Sequence, residues 1–250
     1  MRVAGAARRE SAAERFGPAD ADWLCARFDG VETARLLETV LTDPRFGRAA
    51  VVSSFGAESA VLLHLAAQVD RAIPVLFLDT GKQFPETLDY VRMLVAHLGL
   101  LDLRILRPDP AGLEARDPAG LRWSYDPDGC CDLRKVEPLA LALAAFDLSV
   151  SGRKRHQAPT RAGLRLFEAD GPRLKLNPLA DWSPARLAAY MASHALPPHP
   201  LVAQGYPSIG CVPCTSRVRP GEDPRAGRWR GWQKTECGIH RPDAGRAPAR

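Results

Sequence analysis

The sequence predicts an α/β fold: a mostly parallel sheet with helices on both faces. Three observations carry this. Short apolar runs at 49–53, 73–78, 103–106 and 146–151 are separated by stretches of helical periodicity. Those runs are apolar throughout, as strands buried on both faces are, rather than alternating as strands with one wet face do. Strands that alternate with helices of about 10–15 residues connect most simply as parallel βαβ units.

Residues 1–18, rich in Ala and Arg and closed by Gly17-Pro18, are expected to form a loose arm. From Asp20 to about Leu41, Trp23, Leu24, Phe28, Leu36, Leu37 and Val40 recur at helical spacing, giving one or two helices broken near Gly30. The first strand, 49–53, runs into a turn of small residues, Ser53-Ser54-Phe55-Gly56-Ala57-Glu58-Ser59. The helix after it carries Val61, Leu62, Leu65 and Ala66 on one face. A second strand over 73–78 ends in Asp79-Thr80-Gly81 and is followed by a helix over 85–98. Residues 103–106 make the third strand and 146–151 the fourth, which ends at Gly152. The stretch 108–129, rich in Pro, Asp and Gly, reads as a loop, and the chain after about 196 as irregular. There is no internal repeat.

At 250 residues and 46% hydrophobic content the chain can bury the core of one domain, which excludes a wholly disordered protein. No run approaches the roughly 18 apolar residues of a membrane span, and MRVAGAARRESAAER has no apolar h-region of a secretory signal. The expectation is a soluble cytoplasmic protein with neither a membrane nor a nucleic-acid partner; a homo-oligomer stays open. A net charge of +5 suits an anionic small ligand or a partner with an acidic face.

In open parallel sheets ligands sit beyond the carboxyl ends of the strands. Those ends are SSFGAES, DTGKQ and SGRKR. The first joins a strand to a helix, so its amides and hydroxyls face outward at a helix N-terminus, which suits phosphate or sulfate. A tight turn with an N-cap serine is the plainer alternative. The loop is neither a Walker A nor a GxGxxG segment, which counts against P-loop NTPases and dehydrogenases. Arg153, Lys154 and Arg155 after the fourth strand, with Lys82 after the second, can clamp a polyanion or form a solvated charged turn.

Six cysteines in a cytoplasmic setting point to metal or redox chemistry rather than a disulfide framework. Cys211-Val212-Pro213-Cys214 is a chelating CxxC and Cys130-Cys131 supplies two more sulfurs. Four thiolates suit a [4Fe–4S] cluster or a zinc ion, and the adjacent pair is easier to place on a cubane. A site without metal also stays open. Cys237, in KTECGIH, is either a nucleophile or an inert thiol; Lys234 and His240 flank it as groups able to favour a thiolate. Cys25 falls on an apolar helix face.

Together these segments resemble the assimilatory sulfonucleotide reductases, and within them the iron–sulfur adenylyl-sulfate (APS) reductases. The resemblance rests on SSFGAESAVLLHL, LDTGKQFPETLDY, CCDLRKVEPL, SGRKRHQAPTR, the stretch from NPLADWS to HPLVAQGYPSIGCVPC, GEDPRAGRW and KTECGIH, in the family's order over about residues 50–240. It implies a Rossmann-like, adenine nucleotide alpha-hydrolase-like domain over 19–228 and a mobile segment 229–250 that closes over the substrate as a lid. It implies reduction of adenosine 5'-phosphosulfate (APS) to sulfite and AMP, in sulfate assimilation and cysteine biosynthesis. Cys237 would carry an S-sulfocysteine intermediate, and thioredoxin or a glutaredoxin-like protein would be the reductant. One [4Fe–4S] cluster per subunit would sit on Cys130, Cys131, Cys211 and Cys214, with Lys135 and Arg134 offsetting its charge. Ser53, Ser54, Phe55, Gly56 and Ser59, with Asp79, Thr80 and Gly81, would hold adenosine and phosphate. Arg153, Arg155, Arg161 and His240 would meet the sulfate or phosphate. The nearest alternative is a 3'-phosphoadenylyl-sulfate (PAPS) reductase or an enzyme using both nucleotides. Further off stand an ATP-pyrophosphatase-type enzyme and a non-catalytic zinc module. Cys25, Arg241 and Arg246 receive no role.

Overall fold

The structure, a computed structural model, describes residues 15–240. Most of the expected arm, and Arg241 and Arg246, lie outside the described residues.

Two helices, α1 (Pro18–Arg27) and α2 (Thr33–Thr42), precede β1 (Ala49–Ser53), and Gly30 stands in the break between them. Then come α3 (Ser59–Val69), β2 (Val75–Leu78), α4 (Pro85–Leu98) and β3 (Leu103–Leu106), close to the expected bounds. The sheet has six strands in the order β3-β2-β1-β4-β6-β5, where β4 is Leu148–Ser151, β5 Phe167–Asp170 and β6 Arg173–Leu176. All neighbours are parallel except β5 and β6, an antiparallel hairpin at the edge. The expected mostly parallel, helix-flanked sheet is therefore observed, with one hairpin beyond the four strands read from sequence.

The two faces are packed separately. Val51, Val75, Phe77, Val150 and Leu174 face a large apolar cluster with Leu63 and Leu65 of α3, Leu94 of α4 and Leu187 of α8 (Pro184–Ser193). Ala50, Leu76 and Leu78 face a smaller one with Leu139 and Leu143 of α7 (Glu137–Leu143). Alternate strand residues thus feed opposite layers, as a two-sided sheet requires.

The stretch read as a loop, 108–129, contains a helix, α5 (Pro110–Arg116), and the start of α6 (Pro127–Cys131). Each begins on an Asp-Pro pair. Asp109 accepts from the Gly112 amide at 2.9 Å and Asp126 from Gly129 at 2.8 Å, with proline at the first helical position. The pairs read as loop signals are N-caps. Cys130 and Cys131 end α6, and the chain continues through a π-helical turn, Asp132–Val136, into α7. From 196 to 240 the described residues form only short turns, as expected.

Candidate active site

β1 pairs with β2 on one side and β4 on the other, so the chain direction out of the sheet switches between β1 and β4. Ligands bind at such a switch point. A cavity of about 220 Å³ opens there, beyond the carboxyl ends of the two strands.

Its floor is the turn after β1. Ser53, Ser54, Gly56 and Ser59 line it. Ser53 Oγ accepts from the Phe55 amide at 3.2 Å, and no side chain caps the start of α3. That start therefore presents amides and the positive end of the helix dipole to the cavity. Phe55 does not line it. Its ring is fully buried edge-on against Phe77, centroids 5.4 Å apart, and its φ of 48° is left-handed. Packing of that ring stabilises the sharp turn, so Phe55 shapes the loop rather than touching a ligand through its side chain.

The wall is cationic. Arg153, Lys154, Arg161, Arg225, Arg228 and Lys135 all line the cavity. Four are already paired: Arg153 with Glu168, Lys154 with Glu58, and both Arg161 and Arg225 with Glu236. Arg155 is not brought to the cavity; its Nε donates to the Leu164 carbonyl at 2.7 Å and its guanidinium pairs with Asp181. Of the basic cluster read after β4, the middle residue faces inward instead: Lys154 is 3% exposed. Arg225, Arg228 and Glu236 escaped the sequence reading, although GEDPRAGRW, with two arginines three residues apart, carried the signal.

Asp79, Thr80, Gly81 and Lys82 do not line the cavity either; they lie toward the cysteines. Thr80 Oγ1 is 3.2 Å from Cys211 Sγ, and its carbonyl accepts from Arg134 at 2.9 Å. Asp79 accepts from Arg107, and Lys82 Nζ donates to the Gly120 carbonyl. Arg134 is buried against Asp117 at 2.6 Å, and so holds structure. Lys135, its neighbour, points into the cavity.

Cys237 lines the cavity with Ile239 and His240. Gly238 has a φ of 87°, where any side chain is strained, and turns the chain immediately after the thiol. Burial, then the charges of Arg153, Lys175 and Arg161, push the His240 pKa well below the ordinary value, so it stands as neutral imidazole. Lys234 is paired with Asp128. Cys25 sits apart, its Sγ 3.4 Å from the Phe167 carbonyl.

The remaining four cysteines gather behind Lys135. None is in a disulfide. Cys130, Cys131 and Cys214 all feel the charge of Cys211. Burial pushes Cys131 up to about 12 and raises Cys130 and Cys214 as well. Burial also raises Cys211, but Lys135, Thr80 and Arg228 outweigh it and hold that thiol below its ordinary value. Lys135 is the mirror image: burial lowers its pKa, and Cys211, Cys237 and Cys131 raise it above the usual lysine range. The ammonium therefore stands between the cysteine group and the nucleophile candidate. Gly210 lets Arg228 pass directly over the backbone beside Cys211, where a Cβ would collide with the guanidinium. Among the described residues no three His, Cys, Asp or Glu side chains converge on a single point, so the sulfurs are gathered but spread. Buried sulfur donors with this charge balance fit a metal–sulfur centre, which supplies the positive charge that buried thiolates need.

Residues 48–217 match the family described as the phosphoadenosine phosphosulfate reductase domain. A protein of a Chelativorans species named adenosine 5'-phosphosulfate reductase is 55% identical over 220 residues, 88% of this chain and 90% of its own. One of the same name from Mesorhizobium japonicum is 51% identical over 222 residues, 89% of this chain and 87% of its own. Among solved structures, the phosphoadenylyl-sulfate reductase of Candida auris, crystallised as a phosphate complex, superposes with a TM-score of 0.67 at 26% identity. It covers 81% of this chain and 98% of that one.

Proposed function

The chain belongs to the phosphoadenosine phosphosulfate reductase domain family, and from that premise we propose that it reduces APS to sulfite and AMP in sulfate assimilation. The observation that carries this reading is the presence of Cys237 in the same cavity as the uncapped helix start and six cations.

The Cys237 thiolate attacks the sulfur of APS. An Sγ–S bond forms, the S–O bond to the phosphate breaks, and AMP leaves with the electron pair. The product is an S-sulfonate on Cys237. A thiolate of thioredoxin or a glutaredoxin-like partner then attacks Cys237 Sγ, and sulfite leaves with the S–S pair. The partner's second thiol resolves the mixed disulfide, so two thiols are oxidised as sulfur passes from +6 to +4. The amides of 53–59 and the α3 dipole bind the phosphate, with Ser53, Ser54, Gly56 and Ser59 as its contacts. Arg153, Arg161, Arg228 and Lys135 balance the sulfonyl oxygens as charge develops on the leaving phosphate, and neutral His240 donates one hydrogen bond to the same anion.

Cys130, Cys131, Cys211 and Cys214 would hold a [4Fe–4S] cluster, which takes one sulfur per iron and suits a spread donor set. When bound, the cluster supplies a fixed centre of charge that Lys135 links to the substrate. Free cysteines throughout the described residues accord with a reducing cytoplasm.

The test is intact-mass analysis of anaerobically purified protein given APS or PAPS without reductant. One sulfonate on the Cys237 peptide with APS, released as sulfite by thioredoxin and absent from Cys237→Ser, is expected. The same adduct with PAPS at equal rate broadens the substrate; no adduct with either nucleotide overturns the reading.

A further inference from the structure

Glu236 stands immediately before Cys237 and turns its carboxylate back into the cavity. Arg161 grips it with two donors, Nε to Oε1 at 2.6 Å and Nη2 to Oε2 at 2.8 Å. Arg225 Nη2 lies 3.6 Å from Oε2 and donates to the Thr235 carbonyl at 2.6 Å. Both guanidiniums are largely buried, 13% and 18% exposed, and come from separate segments of the chain. Burial raises the Glu236 pKa, but Arg161, Arg225 and Arg153 outweigh it, so the carboxylate keeps its charge. A bidentate pair between buried partners is the strong kind of side-chain contact. The same two cations line the cavity that holds Cys237, so Glu236 and any anion entering that cavity draw on the same donors.

We propose that Glu236 is the positioning residue of Cys237: it latches the thiol-bearing segment onto Arg161 and Arg225 for sulfonyl transfer and lets go once the transfer is made. The proposal rests on the reaction given above. Transfer forms the Sγ–S bond and expels AMP with the electron pair. Once AMP departs, a permanent sulfonate sits one residue from the Glu236 carboxylate. Two fixed anions then compete for two guanidiniums. Repulsion between the two anions loosens the grip of Glu236 on Arg161 and Arg225, and the segment swings out between the left-handed Gly231 and Gly238. The S-sulfonate is thereby presented to the partner thiolate outside the cavity. One carboxylate thus orders the two halves of the reaction.

Glu236→Gln keeps the shape, loses the charge and separates these halves. On anaerobic holoenzyme in single turnover, adduct formation on Cys237 slows about tenfold or more, the loss expected of a charge-assisted bidentate bond. Release of sulfite from preformed adduct by thioredoxin is unchanged or faster. In the resting enzyme without nucleotide, iodoacetamide labels Cys237 about tenfold faster, measured against Cys25 in the same sample. Glu236→Asp, with its charge but a shorter reach, falls between. A general loss of structure slows both halves alike; that result, or unchanged labelling of Cys237, overturns the latch. Absence of any adduct on the wild-type enzyme overturns the reaction instead, while the labelling ratio still decides the latch.

Discussion

Arg134 and Lys135 adjoin in sequence, and the family resemblance implies that both offset the charge of a cluster. The π-helical turn that carries them sends their side chains in different directions. Arg134 is 6% exposed, donates twice to Asp117 and once to the Thr80 carbonyl, and so ties three segments together. Burial raises the Asp117 pKa, but bonds from Arg134 and Arg122 hold it below the carboxylate norm. Removing one member of a buried pair leaves the other uncompensated, at about 3–5 kcal/mol. Arg134→Ala is therefore expected to cost that much in urea unfolding, and a cycle with Asp117→Asn should show the two losses far from additive. Lys135→Ala still leaves Thr80 and Arg228 beside Cys211. Its unfolding midpoint should stay near wild type while adduct formation on Cys237 falls about a hundredfold, as for other groups placed to balance charge at a reacting centre. Equal losses of stability in the two variants would refute the division. Sequence could find both cations, because CCDLRK puts them beside the thiols; it could not say which faced the ligand. The same holds for Arg153-Lys154-Arg155, where burial of the middle residue reverses the simplest reading.

Prolines explain why some elements are legible in the sequence and others are not. Six helices start on proline: Pro18, Pro85, Pro110, Pro127 and Pro184 at the first position, and Pro138 just after Glu137. Where an apolar stripe follows, as after Pro85, the helix is plain from sequence. Where the helix is short and mostly exposed, as α5 is, proline reads as a loop. Asp109, Asp126 and Ser183, each capping the helix it precedes, were the overlooked signal. The β5–β6 hairpin was missed for a different reason. Its charged residues Asp170, Arg173 and Lys175 are buried, paired with one another at 3.1–3.2 Å. Hydropathy sees charge there, although R-L-K-L after Gly171-Pro172 has the period of a strand. α4 carries a further consequence. Its Thr87 lines the cavity and meets His199 Nε2 at 3.1 Å, while His199 Nδ1 accepts from the Leu201 amide at 3.2 Å. An accepting Nδ1 fixes the neutral tautomer, and burial pulls the His199 pKa down to about 4. The folded protein therefore resists a proton that the unfolded chain takes up near 6.5. Stability from this group is full above that value and is lost as pH falls from about 6.5 to about 4, by about 2 kcal/mol at pH 5. Urea unfolding at pH 7 and pH 5 should show the drop, and His199→Gln should flatten it; an equal slope in both proteins would place the pH dependence elsewhere.

The molecule divides into a sheet sandwich and a cysteine layer laid across its carboxyl end. Both apolar clusters are made of strands and helices, and Cys130, Cys131, Cys211 and Cys214 belong to neither. Backbone contacts join the layer to the cavity instead. The Trp229 amide donates to the Cys214 carbonyl at 3.1 Å, Thr215 bridges Arg228, and the Val212 amide donates to the Lys82 carbonyl at 2.8 Å. Arg228 and Lys135 thus depend on the layer, while the folding of the sheet rests on the apolar clusters. No helix among the described residues is long and apolar enough to cross a membrane. If the four cysteines hold a cluster, stripping the iron with a chelator under anaerobic conditions should separate the two parts. Far-UV circular dichroism and the cooperative urea transition of the sheet should be largely retained, since hydrophobic burial there is untouched. Those four thiols should become open to alkylation, and AMP binding, read by calorimetry, should weaken as Arg228 and Lys135 lose their placement. Loss of the whole cooperative transition would mean instead that the layer is part of the folding unit, as in small domains that fold only around their metal.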